Sequence, residues 1–247
     1  MESVTILPGR DKHGRPESFS SIRLRRGRLY TVVGNTGSGK SRLIKDVEQL
    51  AQGDSVTGRM ILLDGAPVNR SQRQGLSGRL VAHLGQNMRF VLDTTVEEFL
   101  RLHARCRSRQ IAPEEILDLV NDITPEPVTL NQSLSQLSGG QSRAVMIGDI
   151  ALICDSPIVL IDEIENAGID KERALHLLRC QEKLVLVVTH DPHTALMSEQ
   201  RIVLNGGAIT AVVGRSASEA VLSQQLEAEY QKQRHYQMLL RKGEFLA

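Results

Sequence analysis

Tryptophan is absent from this 247-residue chain, and aromatic residues make up only 3% of it. That removes most of the flat rings on which single-stranded nucleic acid stacks. A dominant sign of charge is missing too: 30 Lys and Arg stand against 29 Asp and Glu, for a net charge of +1. Nucleic-acid binders usually carry a basic excess, so no nucleic-acid partner is expected. Only three cysteines occur, Cys106, Cys154 and Cys180, far apart and without CxxC spacing. They suit free thiols in a reducing compartment better than a disulfide framework or a zinc site, which makes a cytoplasmic protein the expectation. No apolar run reaches the ~18 residues of a membrane span, and the N-terminus lacks a charged-then-apolar leader. The chain is therefore expected neither to cross a membrane nor to be exported; at a membrane it would sit peripherally on the inner face, with another subunit doing the spanning. Internal repeats and low-complexity segments are absent as well. The length allows one sizeable α/β domain or two small ones, and one domain with insertions is the simpler reading.

What is present begins with Gly34-Asn35-Thr36-Gly37-Ser38-Gly39-Lys40-Ser41, a glycine, four residues, then Gly-Lys-Ser. A nucleoside triphosphate needs many donors at close range, and glycines let bare backbone N–H groups curl around its phosphates. Lys40 would reach the β- and γ-phosphates and Ser41 would offer its hydroxyl to Mg²⁺. The flanks fit: Leu29 to Val33 reads as a buried strand and Ser41 to Leu50 has helical spacing, the strand-loop-helix setting of a P-loop.

Ahead of this loop, Val4 to Leu7 and Phe19 to Leu24 flank a polar turn, and the second segment alternates as a half-exposed antiparallel strand does. Arg23, Arg25, Arg26 and Arg28 read as a solvated strand edge and turn. After it, Arg59 to Gly65 and Leu80 to Leu84 read as strands, the latter ending at Gly85-Gln86. Helical spacing runs from Thr95 to about Arg109, with Thr94 or Thr95 as N-cap, and again from Pro113 to about Asn121. Arg101, Arg105, Arg107 and Arg109 gather at the end of the first helix, as a solvated face or as a dock for an acidic partner.

Leu137-Ser138-Gly139-Gly140-Gln141 opens a long helix through about Ile153. Ser138 can cap it, and the glycines leave the N–H groups of its first turn uncovered, a second anion-binding helix terminus. Two apolar strands follow, Pro157 to Glu163 ending in two carboxylates and Lys183 to His190 ending in a histidine. Continuous apolar runs suit parallel strands covered on both faces, where ligands gather at the carboxyl ends. Gly34, Gln86, Asp162, Glu163 and His190 then share one edge of the sheet. A polar, helix-prone tail from about Ser216 to Leu240 has too few apolar anchors for a core helix and is expected on the domain surface or against a second subunit.

These five motifs, in this order, resemble the ATP-binding cassette (ABC) ATPases over roughly residues 19 to 207, and LSGGQ is the part other P-loop families lack. The resemblance implies an α/β fold: a P-loop NTPase (RecA-like) core with a mostly parallel sheet, an N-terminal antiparallel β subdomain and a helical insertion. Within a single domain spanning 1–247, residues 1–86 and 142–210 would form the β subdomain and P-loop core, 87–141 the helical signature subdomain and 216–245 a C-terminal helix. It implies Mg²⁺-dependent ATP hydrolysis, with Gly34 to Ser41 on the phosphates and Ser41, Gln86 and Asp162 around Mg²⁺. Glu163 would polarise the attacking water and His190 would hold the γ-phosphate. Ser138, Gly139, Gly140 and Gln141 would face the nucleotide of a second cassette, identical or a sister chain.

Three departures stand out. The Asp-Glu pair is followed by Ile164-Glu165-Asn166-Ala167-Gly168-Ile169-Asp170 where transport cassettes usually have Pro-Thr and then Ser-Ala-Leu-Asp, so the aspartate falls one place late. The aromatic that usually stacks on adenine is missing, His13 being the nearest candidate. The arginine pattern after LSGGQ is thinned to Ser142-Arg143, a change expected to touch packing more than chemistry. The complete catalytic set and the helical insertion favour a subunit that drives a membrane-spanning permease. The altered 164–170 segment favours the alternative, a soluble cassette that remodels or activates a client protein such as a metalloenzyme.

Overall fold

The apolar runs LYTVV, IVLID and LVLVV become neighbouring parallel strands, and their side chains sort by parity onto two cores. A computed structural model describes residues 1–245; the side chains of Asn166 and Ala167, within the departing segment, lie outside the described residues. In chain order the elements are β1 Ser3–Leu7, β2 Ile22–Arg25, β3 Leu29–Val33, α1 Lys40–Glu48, β4 Met60–Leu63, β5 Ala66–Pro67, α2 Arg73–Leu80, β6 Val81–Leu84, α3 Val96–Cys106, α4 Pro113–Ile123 and α5 Gly139–Leu152. They continue with β7 Ile158–Asp162, α6 Lys171–Cys180, β8 Leu184–Val188, α7 Pro192–Met197, β9 Gln200–Asn205, β10 Ala208–Gly214 and α8 Ala217–Arg241.

The larger sheet has the order β10-β9-β3-β8-β7-β6, parallel except for β10 on β9. Because strand side chains alternate between faces, Val159, Ile161, Val185 and Val187 point to a core shared with α3, α4, α5 and α6. Ile158, Leu160, Leu184, Leu186 and Val188 point to a second core shared with α1 and a four-stranded sheet of order β2-β1-β4-β5. That smaller sheet is antiparallel throughout, and β2 alternates buried and exposed residues as its sequence does.

A buried ionic knot joins the small sheet to the P-loop layer. Arg59 has no exposed surface; it donates to Glu17 at 2.6 and 3.0 Å, to Asp46 of α1 at 3.2 Å and to the Gly207 carbonyl at 2.9 Å. Glu17 also accepts from the Ile209 amide at 2.5 Å and the Gly9 amide at 2.8 Å. All three charges are thereby paired and hydrogen-bonded, the condition for burying them at all. The knot holds the turn at residues 8–17 beside the β9–β10 connection.

The tail forms α8 on the domain surface, with no buried residue of its own. It is fastened by polar contacts: Arg234 to Asp170 at 2.5 Å, Arg201 to Glu219 at 2.5 Å and His193 to Glu227 at 3.0 Å. Most of the arginines at the end of α3 are spent within the chain, Arg101 on Glu97, Arg107 on His103 and Arg109 on Asp155. Among the described residues, no helix is long and apolar enough to cross a membrane.

Candidate functional site

The buried strand β3 delivers the chain to Gly34, and α1 begins five residues beyond Asn35, at Lys40. Gly34 and Gly39 have φ of 150° and 106°. A Cβ on Gly34 would lie 2.3 Å from the Leu204 carbonyl, and one on Gly39 would lie 3.1 Å from Gly207 Cα, so the loop is pressed onto the β9–β10 turn and only glycine fits. Gly39 caps α1 without a side chain, and no acidic residue stands in the first turn. The helix thus offers bare amides and the positive end of its dipole to an anion.

Lys40 Nζ folds back to the Gly34 carbonyl at 2.7 Å and the Asn35 carbonyl at 3.2 Å. Burial lowers its pKa from the ordinary value, opposed by the charges of Glu163 and Asp162. Ser38 Oγ is buried with no hydrogen-bond partner among the described residues. An unpaired buried hydroxyl beside bare amides fits a loop built to receive phosphate oxygens.

A cavity of about 440 Å³ lies over this loop, bordered by Thr36, Gly37, Gly39, Lys40 and Ser41 and, from the other strand ends, by Gln86, Asp162, Glu163 and His190. Gly34, Asn35 and Ser38 do not border it. Asp162 is the last residue of β7, and Glu163 follows it with φ 52° and ψ 65°, a left-handed conformation unusual outside glycine. Its amide donates to the Val188 carbonyl at 3.0 Å. Gln86, two residues beyond β6, donates from Nε2 to Glu163 Oε2 at 2.6 Å, and His190 Nε2 lies 3.9 Å from Glu163 Oε1.

Ser138 to Gln141 form a capping box at the start of α5. Ser138 Oγ accepts from the Gln141 amide at 3.2 Å, and Gln141 Oε1 accepts from the Ser138 amide at 3.0 Å. Ser138 Oγ also donates to Glu126 Oε2 at 2.8 Å. Ser138, Gly139 and Gly140 border a separate cavity of about 390 Å³, which Gln86 reaches from its other side. The P-loop cavity contains none of the four signature residues.

Two side chains outside the sequence-based set hold this arrangement. Arg143 of α5 donates from one nitrogen to the Gly85 carbonyl at 2.7 Å and the Asp162 carbonyl at 3.2 Å. It therefore joins the signature helix to both strand ends. Glu165 accepts from Thr189 Oγ1 at 2.8 Å and from the His190 amide at 3.0 Å, fixing the turn that carries His190. Lys12 also borders the P-loop cavity, with its amide on the Gly206 carbonyl at 3.2 Å, and His13 does not border it. Asp170, the displaced aspartate, serves as N-cap of α6 by accepting from the Arg173 amide at 3.2 Å.

A glycine loop at a strand-helix junction, opposite a strand ending in Asp-Glu and beside a second glycine-led helix, defines a P-loop nucleotide-binding protein of the cassette type. Residues 19–166 match the family model described as ABC transporter, and the chain belongs to that family. It is 46% identical over 228 residues, 92% of this chain and 87% of the relative, to an uncharacterized ABC transporter ATP-binding protein of Methanocaldococcus jannaschii. It is 31% identical to a methionine import ATP-binding protein of Streptomyces avermitilis, covering 87% of this chain and 65% of that one. Among solved structures, a dimeric cassette in a post-hydrolysis state with ADP and Pi superposes at a TM-score of 0.64 with 22% identity, over 85% of this chain and 98% of that one. The chain is an ABC-type ATPase, the ATP-binding subunit of its system.

Lys40→Ala is expected to weaken ATP binding about 10- to 100-fold, the worth of one or two charge-assisted hydrogen bonds. Titration with a fluorescent ATP analogue measures it, and unchanged affinity would take Lys40 out of the phosphate site.

Proposed function

We propose that this chain pairs with a second cassette, identical or a sister, so that two nucleotides are held between them and their hydrolysis drives a membrane-spanning permease. The observation that supports the pairing is the separation of the two cavities: the signature helix terminus of one chain does not border that chain's own P-loop, so it is left to serve another's. In this reading Lys40 and the loop amides bind the β- and γ-phosphates. Glu163 accepts a proton from the attacking water, held in place by Gln86, and His190 steadies the γ-phosphate from the far side. Little covalent chemistry is asked of the protein, since phosphoryl transfer depends on position and charge neutralisation.

Ser41, Gln86 and Asp162 border one cavity and present a hydroxyl, an amide and a carboxylate, oxygen donors of the kind Mg²⁺ takes. When bound there, Mg²⁺ neutralises the phosphate charge that builds as the bond breaks. Arg143 and Glu165 act at one remove, holding the backbone of Asp162 and His190.

The permease is tested by affinity capture of the Glu163→Gln variant with Mg²⁺ and ATP from mildly solubilised cells. A multispanning protein in stoichiometric amount is the expected result. Recovery of a soluble enzyme with no membrane component would overturn the permease and leave a cassette that remodels a client protein.

A further inference from the structure

Away from the nucleotide site, three helices bring metal-ligating side chains to one point: Glu172 of α6, His193 of α7 and Glu227 of α8. Their ligating atoms lie within 4.8 Å of one another. His193 Nε2 stands 3.0 Å from Glu227 Oε2 and 3.8 Å from Glu172 Oε1. The imidazole is buried, at 6% side-chain exposure, while the two carboxylates are 28% and 33% exposed and open the group to solvent on one side.

The charges around this point do not balance from within the chain. Lys171 is committed to Asp191 and Arg234 to Asp170, and among the described residues neither Glu172 nor Glu227 has a lysine or arginine partner. Gln231 Nε2 donates to both carboxylates, at 2.9 Å to Glu172 and 2.8 Å to Glu227, but an amide brings no charge. Burial and the nearby Lys171 ammonium hold the His193 pKa below its ordinary value. A single Nε2–H would account for the contact with Glu227. It would not account for the second carboxylate brought to the same nitrogen.

We propose that Glu172, His193 and Glu227 bind a divalent transition-metal ion of the Zn²⁺ class, which ties α8 to α6 and α7. One imidazole and two carboxylates, with solvent for a fourth position, is a donor set that suits Zn²⁺ and its neighbours and not Mg²⁺, which avoids imidazole. His193 Nδ1 is buried without an acceptor among the described residues. The ring therefore lacks the outer partner that usually raises a histidine ligand's basicity, and the affinity is about 10- to 100-fold below that of a site with one. The ion gives α8, which buries no side chain of its own, a fixed point on the body of the cassette. That point lies where α7 starts two residues after His190 and α6 starts directly after Asp170.

The test uses the full chain in a Cys180→Ser background, because Cys180 Sγ lies 3.5 Å from His176 Nδ1 and could itself hold zinc. Zn²⁺ is titrated in the presence of excess Mg²⁺ against a chromophoric chelator, thermal unfolding is followed with and without Zn²⁺, and Co²⁺ is used as a spectroscopic probe. Expected are one Zn²⁺ per chain, a higher Tm with Zn²⁺ and a visible Co²⁺ absorption of a low-coordinate site. Glu172→Gln and Glu227→Gln, which keep the shape and remove one carboxylate charge each, each weaken binding at least tenfold, and the double variant abolishes the Co²⁺ band. Absence of stoichiometric binding overturns the proposal, as does binding undiminished in the double variant. Should that variant fail to fold, the single variants and the wild-type Co²⁺ spectrum decide.

Discussion

Glu163→Gln is expected to bind ATP as tightly as the native chain, to hydrolyse it about 100- to 10,000-fold more slowly, and to run as a dimer in gel filtration with Mg²⁺ and ATP. The substitution is isosteric and changes only the ability to take a proton. Glu163 has the geometry of a proton acceptor, since it stands at a strand end in a left-handed turn, with Gln86 at 2.6 Å and His190 at 3.9 Å, facing the cavity over Lys40. Binding depends on Lys40 and the loop amides, which the change leaves alone, so affinity and turnover separate. Phosphate release under saturating ATP measures the loss. Turnover within about twofold of the native rate, a barrier change too small for a lost proton acceptor, would strip Glu163 of the role. A parallel loss of binding would point to a collapsed pocket instead.

Arg59→Met should destabilise the fold by about 3–5 kcal/mol, the cost of leaving buried charges unpaired. Two carboxylates, Glu17 and Asp46, face this guanidinium inside the protein, where bulk water does not reach them. In the native chain burial pushes Glu17 toward a higher pKa, but the hydrogen bonds from Arg59 and from the amides of Ile209 and Gly9 outweigh it and hold the carboxyl below its ordinary value. Its stabilisation is therefore present above the unfolded pKa of 4.5 and is lost as pH falls through the lowered folded value. Without Arg59, burial dominates and the folded pKa of Glu17 rises. The variant's deficit should then be smaller near pH ~4 than at pH ~7, the reverse of simple acid denaturation. Urea unfolding at the two pH values measures both the loss and its slope; a deficit under about 1 kcal/mol, the worth of an exposed pair, would mean that the knot is solvated.

Much of this site is legible in the sequence because its parts sit where chain direction changes. Gly34, Gln86, Asp162 and His190 each follow an apolar run, and parallel strands must bring such positions to one edge. The cap at Ser138 is legible for the same local reason, since Ser-x-x-Gln before an apolar stretch satisfies its own end groups. The β9–β10 hairpin, α6 and α7 are absent from the sequence-based reading, although Asn205-Gly206 is a strong hairpin signal and Asp170 leads a helix with Ala174, Leu175 and Leu178 on one buried face. The unusual composition of residues 164–170 masks the cap that ends them. Other features have no local signal. Nothing in Arg59-Met-Ile-Leu-Leu marks an arginine with no exposed surface, and Arg143 and Glu165 act through backbone groups far away in sequence. Lys12 borders the P-loop cavity from a turn whose Gly9 amide is held by Glu17, a contact far from the loop in sequence.

Glu126 touches Ser138 at the amino end of α5, a fourteen-residue helix whose dipole favours negative charge there. In the pairing proposed above, the carboxylate would stand where a phosphate from another subunit would arrive, an internal competitor for the same hydroxyl. On the proposed pairing, nucleotide reaching this end of the molecule would first have to displace it, so the affinity measured for closure would be a difference between two anions rather than the strength of one.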